Sequence, residues 1–501
     1  MDSSPLWFLL TVTALTLSCI YIYTIRRKSS AMAARKLPPS PPGLPIIGNM
    51  HQVLAGESIY KTLWNLSQKY GPAMLLHFGS QQILLISSSE MANQVLKTND
   101  HELSTRPQSK AAKRMTYNYL DVSFSPSDDH WRDMRKVLVS ELLIGKRNKM
   151  FKNKLEIEMD GFVRSLLSQP SGTIVNLDDA LYSLLEDVTC LVAFGKSHRG
   201  KTFNGKNLKE IFNETIVMLG GSLADFFPIV GPILDELRGW NRRLEKSFSD
   251  ADGFLQMLID EHFEHNATNK TDDEKCFVDD CISRLTNDEI KAVLMNVLNG
   301  AIDTSSTTAV WAMSEIVKSP RIMEKLQKEI RSCVGTKSKV HESDIAKMAY
   351  LKMVVKETLR LHGPASFLIG RECVSHCKVG GYDVYPGTKI MINVWGIGRD
   401  SRTWKERPNE FWPERFENFK FDFLGKHCEM IPFGGGRRAC PGYNSGIATV
   451  EFILANLLYV FDWEVPGAVK NQDLDMEEYG SWHIDRKTPL CLVPKEHQGK
   501  D

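Results

Sequence analysis

Ten consecutive residues, Phe433-Gly-Gly-Gly-Arg-Arg-Ala-Cys-Pro-Gly442, constrain this chain more than any others. They set one cysteine, Cys440, among glycines at 434, 435, 436 and 442, and an apolar run from Ile447 to Val460 follows at once. Glycine carries no Cβ, so backbone there comes close to a flat, bulky partner. Arginines just before Cys440 favour its ionised thiolate over the thiol. A lone thiolate in tight backbone with a helix behind it suits an axial ligand for haem iron. An ordinary Gly-rich turn around a buried cysteine has the same local sequence, so other segments must decide.

At 501 residues and 42% hydrophobic, the chain can bury a large core. Lys+Arg number 62 against 61 Asp+Glu, a balance that gives no reason to expect a nucleic-acid partner. The ten cysteines are scattered without a CxxC pair, which argues against a zinc ribbon or a thioredoxin-type site. Cys373 and Cys377 stand as CxxxC with no second pair and read as structural thiols. Free cysteines in this number suit a reducing compartment.

Leu6 to Ile25 is uncharged and twenty residues long, enough to cross a bilayer as a helix. Asp2 precedes it and Arg26-Arg27-Lys28 follow, a bias that puts the C-terminal side in the cytosol. A cleaved signal peptide would carry its basic residues on the other side of a shorter apolar core. Residues 1–28 therefore read as an uncleaved anchor. The sequons at Asn65, Asn213, Asn266 and Asn269 would then go unused. Residues 29–48 form a hinge, in which five prolines between Lys36 and Pro45 enforce stiff, extended backbone. The body runs over residues 49–501.

Within the body, Tyr60 to Tyr70 reads as a helix, and Ala73 to His77 and Gln82 to Ser87 as strands about a Gly79-Ser80 turn. Helical patterns follow at Glu90 to Thr98, Lys146 to Leu167 and Leu177 to Phe194. Asp129 opens a helix on which Trp131 and Arg135 share a face, where an indole and a guanidinium can together hold a carboxylate. Residues 200–285 look variable, with Glu264 to Lys275 a polar loop. Thr286 caps the longest apolar helix, to Val317, with Asp303, Thr304 and further hydroxyl side chains in its middle. Two forms fit that chemistry: a local bulge holding water for proton delivery, or a core helix with its threonines bonded back to the preceding turn. Glu357 and Arg360 share a helix face, and Arg415 in Pro413-Glu-Arg-Phe416 offers a second guanidinium. A β-rich patch begins near Gly370-Arg371-Glu372.

Taken in this order, the pieces resemble the cytochrome P450 superfamily from about Pro38 to Pro494. The haem loop with Phe433, Arg438, Cys440 and Gly442 carries most of that likeness. Glu357…Arg360, Pro413-Glu-Arg-Phe416, Trp131-Arg-Asp-Met-Arg135, Asp303-Thr304 and the proline-rich hinge match further landmarks. The hinge, the Trp131 motif and the loop wording resemble plant members of the endoplasmic reticulum that serve specialised metabolism.

The resemblance implies a mainly α fold with a small β-rich lobe and a single N-terminal transmembrane helix. It implies haem b, with Cys440 as the iron ligand, and Trp131, Arg135, Arg371, Phe433, Arg438 and Gly442 around the cofactor. Asp303 and Thr304 would relay protons, and Glu357, Arg360 and Arg415 would form a structural clamp. The implied activity is insertion of one atom of O2 into a small lipophilic plant metabolite, a terpenoid, alkaloid or phenolic. NADPH-cytochrome reductase would supply electrons, with Arg132, Lys136 and Lys426 as candidate contacts for it. The substrate would meet Ala301, Ala365, Ser366, Phe367, Leu368, Ile369, Ser481 and Trp482, within walls that also take in 105–120, 212–223 and 480–483. Ser366, Ser481 and His483 offer hydrogen bonds to an oxygenated ligand.

Two departures from the family pattern stand out. Gly300-Ala301 inverts the usual order, adding a methyl near the oxygen groove, and Gly363 and Gly370 stand where plant members commonly have proline, an expected loosening of that wall. A reductase-independent isomerase or dehydratase of the same fold would commonly lack the acid-alcohol pair. Ring closure or desaturation would use the same site. A cysteine hydrolase would need a histidine beside Cys440, and His427 is the nearest in sequence. A non-catalytic, membrane-anchored binding protein is the remaining class. Deleting residues 1–28 is expected to release the protein from membranes into the soluble fraction; continued tight binding would reveal a second attachment.

Overall fold

The computed structural model describes residues 36–56, 58–265, 275–418, 423, 427–467 and 470–498. The apolar stretch 6–25, the start of the hinge, most of the polar run 264–275 and Lys426 lie outside the described residues. Among those described, no helix is long and apolar enough to cross a membrane.

The elements that build the site begin with α1 (Ile59–Tyr70), β1 (Ala73–Phe78), β2 (Gln81–Ile86), α2 (Asp129–Leu138), α3 (Gly145–Leu167), β3 (Val175–Asn176) and α4 (Leu177–Phe194). They continue with α5 (Leu208–Leu219), α6 (Trp240–His265), α7 (Asn287–Lys318), α8 (Pro320–Val334), α9 (Ala349–Leu361), β4 (Arg371–Glu372) and β5 (Lys389–Ile392). After α10 (Tyr443–Val460) come β6 (Phe461–Glu464), β7 (Glu478–Tyr479), β8 (Asp485–Arg486) and β9 (Cys491–Glu496). The fold is mainly helical with small sheets. One has the order β1-β2-β5-β4, and β3-β9-β6 and β7-β8 make two more.

Helix α7 is the central rod. Thr286 caps it: its hydroxyl accepts the Glu289 amide while the Glu289 carboxylate accepts the Thr286 amide at 2.8 Å. Such a reciprocal cap satisfies donors that the first turn leaves unpaired. Apolar residues then line nearly every side of α7, as suits a helix wrapped by others, and α4, α9 and α10 pack against it. The helix stays α-helical through Gly300–Thr308, with no bulge. Its hydroxyls bond back one turn instead, Thr304 to the Gly300 carbonyl at 2.6 Å and Thr308 to the Thr304 carbonyl at 2.7 Å. Wider π turns occur elsewhere, at Gln94–Thr98 and Val139–Leu143.

The lobe is built on β1 and β2, paired antiparallel from Ala73↔Ile86 to Phe78↔Gln81 about the Gly79 turn. Strand β5 adds in parallel to β2, and β4 antiparallel to β5. Alternate residues of a strand face opposite sides, and here both sides are covered. Leu84, Ile86, Ile390 and Ile392 enter one apolar cluster, while Met74, Leu76, Ile83 and Leu85 enter another.

At the end of α9 the buried Glu357 carboxylate takes Arg360 Nε and Nη2 at 2.7 Å each. It also accepts Arg415 Nε at 2.9 Å and the Trp412 amide at 2.8 Å. The remaining Arg360 donors go to the carbonyls of Gly398, Pro408 and Glu410. Removing one member of a fully bonded buried pair leaves a charge without its counterion. Glu357→Gln is expected to lose about 3–5 kcal/mol of stability in urea unfolding; a loss below about 1 kcal/mol would show that solvent screens the pair.

Candidate functional site

A cavity of about 400 Å³ lies between α7 and the loop that leads into α10. Phe433, Gly434, Cys440 and Gly442 form its floor, and Gly300, Ala301 and Thr304 form the opposite wall. Because the Thr304 hydroxyl gives its proton to the Gly300 carbonyl, its lone pairs remain to accept from inside the cavity. Cys440 is half-buried, and its exposed part faces this space rather than the protein surface. Burial pushes its thiol up, and a backbone bond from Gly442 and the charge of Arg135 oppose that only in part. The arginines before Cys440 in sequence therefore do not by themselves outweigh burial, and a bound cation would favour the thiolate.

The loop is pinned from both sides. The Cys440 amide donates to the Phe433 carbonyl at 2.9 Å, which closes it. Gly436 has a φ of +66°, and a Cβ built there would stand 2.2 Å from the Leu96 carbonyl oxygen. Asp100 ties the same segment down by accepting Arg371 at 2.9 Å and Arg437 at 2.8 Å. Close approach at Gly436 is thus to protein, on the side away from the cavity.

Four arginines, 106, 135, 371 and 438, line one region of the cavity. Arg438 lies 3.9 Å over the Trp131 ring, whose indole NH donates to the Val122 carbonyl at 3.1 Å. A desolvated cation on an indole face is stabilised by about 2 kcal/mol. Arg135, expected as the partner of Trp131, is 5.8 Å from that ring and reaches the Ala439 carbonyl at 2.6 Å instead. Trp131 does not line the cavity and supports Arg438 from behind. Arg371 donates to the Gly435 carbonyl at 2.8 Å. Arg106 donates to Ser123, Ile369 and Gly370 carbonyls; the sequence placed it only within the wall segment 105–120, since nothing in Ser104-Thr-Arg-Pro107 marks it as a cavity cation. Burial, then mutual repulsion, lowers the pKa of Arg106 well below its usual range and that of Arg438 to about 10.

Among the described residues, no aspartate, glutamate, lysine or histidine lines the cavity. Among the described residues, Arg106, Arg135 and Arg438 have no carboxylate within ion-pair distance. The surroundings offer one sulfur ligand and a surplus of buried positive charge. That fits a haem, which needs one axial sulfur and partners for two propionates.

The expected substrate wall divides in two. Ala301, Ala365, Phe367, Leu368 and Ile369 line the cavity. Ser366, Ser481 and Trp482 do not. Ser366 is fully buried with its hydroxyl donated to the Ser481 carbonyl, so it has no donor left for a ligand. Trp482 packs behind Phe367 with ring centroids 5.3 Å apart. Residues 212–223 are absent from the lining, and Asn296, Thr189 and Val192 were missed. Asn296 accepts the Val122 amide at 2.8 Å and donates to Asp121, fixing the loop that carries Ser123 into the wall. Gly363 is not a loose point: a Cβ there would meet the Leu359 carbonyl at 2.8 Å.

The acid-alcohol pair also separates. Thr304 faces the cavity, whereas Asp303 turns outward to His483, Nε2 lying 3.3 Å from the Asp303 carboxylate. Burial raises the Asp303 pKa, and the charge of His483 draws it back down. The described cysteines other than Cys440 touch no part of the cavity, and none of the described cysteines is bridged.

Residues 38–491 match the sequence family described as Cytochrome P450. Parthenolide synthase of Tanacetum parthenium is 55% identical over 99% of this chain and 100% of its own length. Eupatolide synthase of Helianthus annuus is 47% identical, with 98% of each chain covered. Cytochrome P450 71B37 of Arabidopsis thaliana is 43% identical over 99% of each. Gly436→Ala is expected to displace the Cys440 loop and leave most of the purified protein without haem, measured by the ratio of haem to protein absorbance. A normal ratio would show that the Leu96 turn yields to the added methyl.

Proposed function

The chain belongs to the cytochrome P450 family, a plant haem-thiolate oxidoreductase, and within that class we propose that it inserts one oxygen atom of O2 into a sesquiterpenoid. NADPH electrons reach it through a reductase at the endoplasmic reticulum membrane, with the body in the cytosol. The observation that carries this reading is the cavity itself, with Cys440 on the floor and Thr304 and Ala301 above it. When bound, haem would be held through the Cys440 sulfur and would supply activation of O2.

The protein's own residues do the rest. Arg106, Arg135, Arg371 and Arg438 would hold the propionates. Thr304 accepts a hydrogen bond in the cavity while remaining fixed by Gly300, and Asp303 supplies it with protons. Ala365, Phe367, Leu368 and Ile369 exclude water and orient an apolar skeleton. A protonated alkaloid would meet arginines and no carboxylate, which disfavours an amine substrate. The two relatives named for sesquiterpene products, the parthenolide and eupatolide synthases, support the terpenoid class.

Incubation with reductase, NADPH and a sesquiterpenoid panel is expected to give products heavier by one oxygen atom. Loss of two hydrogens without added oxygen would replace insertion by ring closure or desaturation, and turnover without reductase would favour an isomerase or dehydratase. Cys440→Ser is expected to abolish the product together with the thiolate-type spectrum of the reduced carbon monoxide complex. Thr304→Ala is expected to retain haem while NADPH consumption uncouples from product; normal coupling would remove Thr304 from proton delivery.

A further inference from the structure

The apolar cavity raises a supply problem. Insertion of one oxygen atom follows RH + O2 + NADPH + H⁺ → ROH + H2O + NADP⁺, so two hydrogens end on the second oxygen atom as water. Protons must cross from solvent to a wall that carries no acid of its own. Asp303 is the nearest acid in sequence to the cavity-facing Thr304, and it points outward.

What it meets there is a compact set of side chains. His483 Nε2 lies 3.3 Å from Asp303 Oδ2, 3.1 Å from Asp485 Oδ1 and 3.1 Å from Thr307 Oγ1. The Thr307 hydroxyl donates to Asp485 Oδ1 at 3.0 Å, so all three neighbours present acceptors to the histidine. Three acceptors around Nε2 therefore call for a proton on that nitrogen. Half of the Asp485 side chain is exposed, against 19% for His483 and 21% for Asp303, so Asp485 is the solvent end of the set.

The arrangement is held by backbone. His483 bridges Ala365 of the cavity wall, the Ile484 amide donates to the Pro364 carbonyl at 2.9 Å, and the Trp311 indole donates to the Ile484 carbonyl at 3.1 Å. Gly480 has a φ of +111°, and a Cβ there would stand 2.1 Å from the His483 carbonyl, so the turn cannot slide.

We propose that His483 is the positioning residue that holds Asp303 outward and reloads it with protons taken up through Asp485. The proposal rests on the monooxygenase reading above. In each transfer the imidazolium gives its Nε2 proton to Asp303 Oδ2 and becomes neutral. Asp303 passes a proton inward toward Thr304 and returns to carboxylate. His483 then regains its proton from solvent at Asp485. No electrons move in these steps.

The electrostatics keep the ring protonated between transfers. Burial disfavours the charged ring, but the bond with Asp485 and the charges of Asp303 and Asp485 outweigh it and raise the His483 pKa to about 9. The other groups facing this cluster are Asp178 and Tyr182 on α4 and Lys209 on α5. Lys209 is itself paired with Asp179 at 3.0 Å.

The test compares the full-length haem protein with His483→Gln and Asp485→Asn. Glutamine keeps a hydrogen-bond donor near Nε2 but does not titrate. An infrared pH titration follows the carboxyl band that Asp303→Asn removes and needs no turnover. Loss of the imidazolium charge raises the pKa of Asp303, so in His483→Gln this band is expected to persist to higher pH. With reductase and substrate, product per NADPH is expected to fall roughly tenfold, less than the loss of a direct general acid, and to lose its histidine-linked pH limb. Asp485→Asn is expected to shift both readouts the same way by a smaller amount, and it carries the test if His483→Gln does not fold. A band that titrates as in the parent protein, or unchanged coupling with an unchanged pH profile, overturns the proposal. Absence of product from the parent protein itself would instead overturn the monooxygenase reading on which it rests.

Discussion

One buried carboxylate fixes the frame. Glu357 has no access to solvent, and its charge is shared between Arg360 and Arg415. Arg360 extends the connection to three carbonyls between residues 398 and 410. That segment has little regular structure of its own, so it is the guanidinium forks that hold it against α9. From there the chain enters the loop that presents Cys440 and then α10, which packs on both α7 and α9. The position of the sulfur therefore depends on an ion pair that never touches it.

A second balance is drawn around the cavity. Burying several guanidinium groups together is unfavourable, and burial and repulsion depress the affinity of Arg106 and Arg438 for their protons. Backbone carbonyls of residues 104, 123, 125, 369, 370, 435 and 439 take up most of their donors, but carbonyl dipoles do not cancel net charge. An anionic cofactor would complete the balance. The site is in this sense stabilised by what it binds, as any group that binds only the folded state will do.

Local chemistry was legible in the sequence. The periodicity and cap of α7, the pairing of β1 with β2 and the face shared by Glu357 and Arg360 each follow from residues a few positions apart. Cys440 and its glycines could be placed for the same reason. What escaped depends on contacts across the whole chain. Arg106 gains its place only when residues 369 and 370 arrive. Ser366, with its polar side chain, suggested a ligand contact, yet its hydroxyl was already committed to residue 481. Of the two forms open for α7, the back-bonded helix formed, because Thr304 and Thr308 each found a carbonyl one turn back and the helix had no need to open. Asp303 and Thr304 are adjacent in sequence, but successive helical positions point about 100° apart, so the pair serves two different sides of α7.

The bonds that seat the Cys440 loop join distant parts of the chain. Arg135 meets a carbonyl 304 residues away, Arg438 one 334 away, and Arg437 reaches Asp100 across 337. During synthesis the front wall of the cavity is made first and has to wait for its floor. At about 5–20 residues per second that interval is on the order of 15–70 s. Through it, Arg106 and Arg135 have neither the loop nor the anion that will balance them, and the π turn at Gln94–Thr98 has no Gly436 to receive. Cofactor capture is thus set among the last events of assembly, when nearly the whole chain has already left the ribosome.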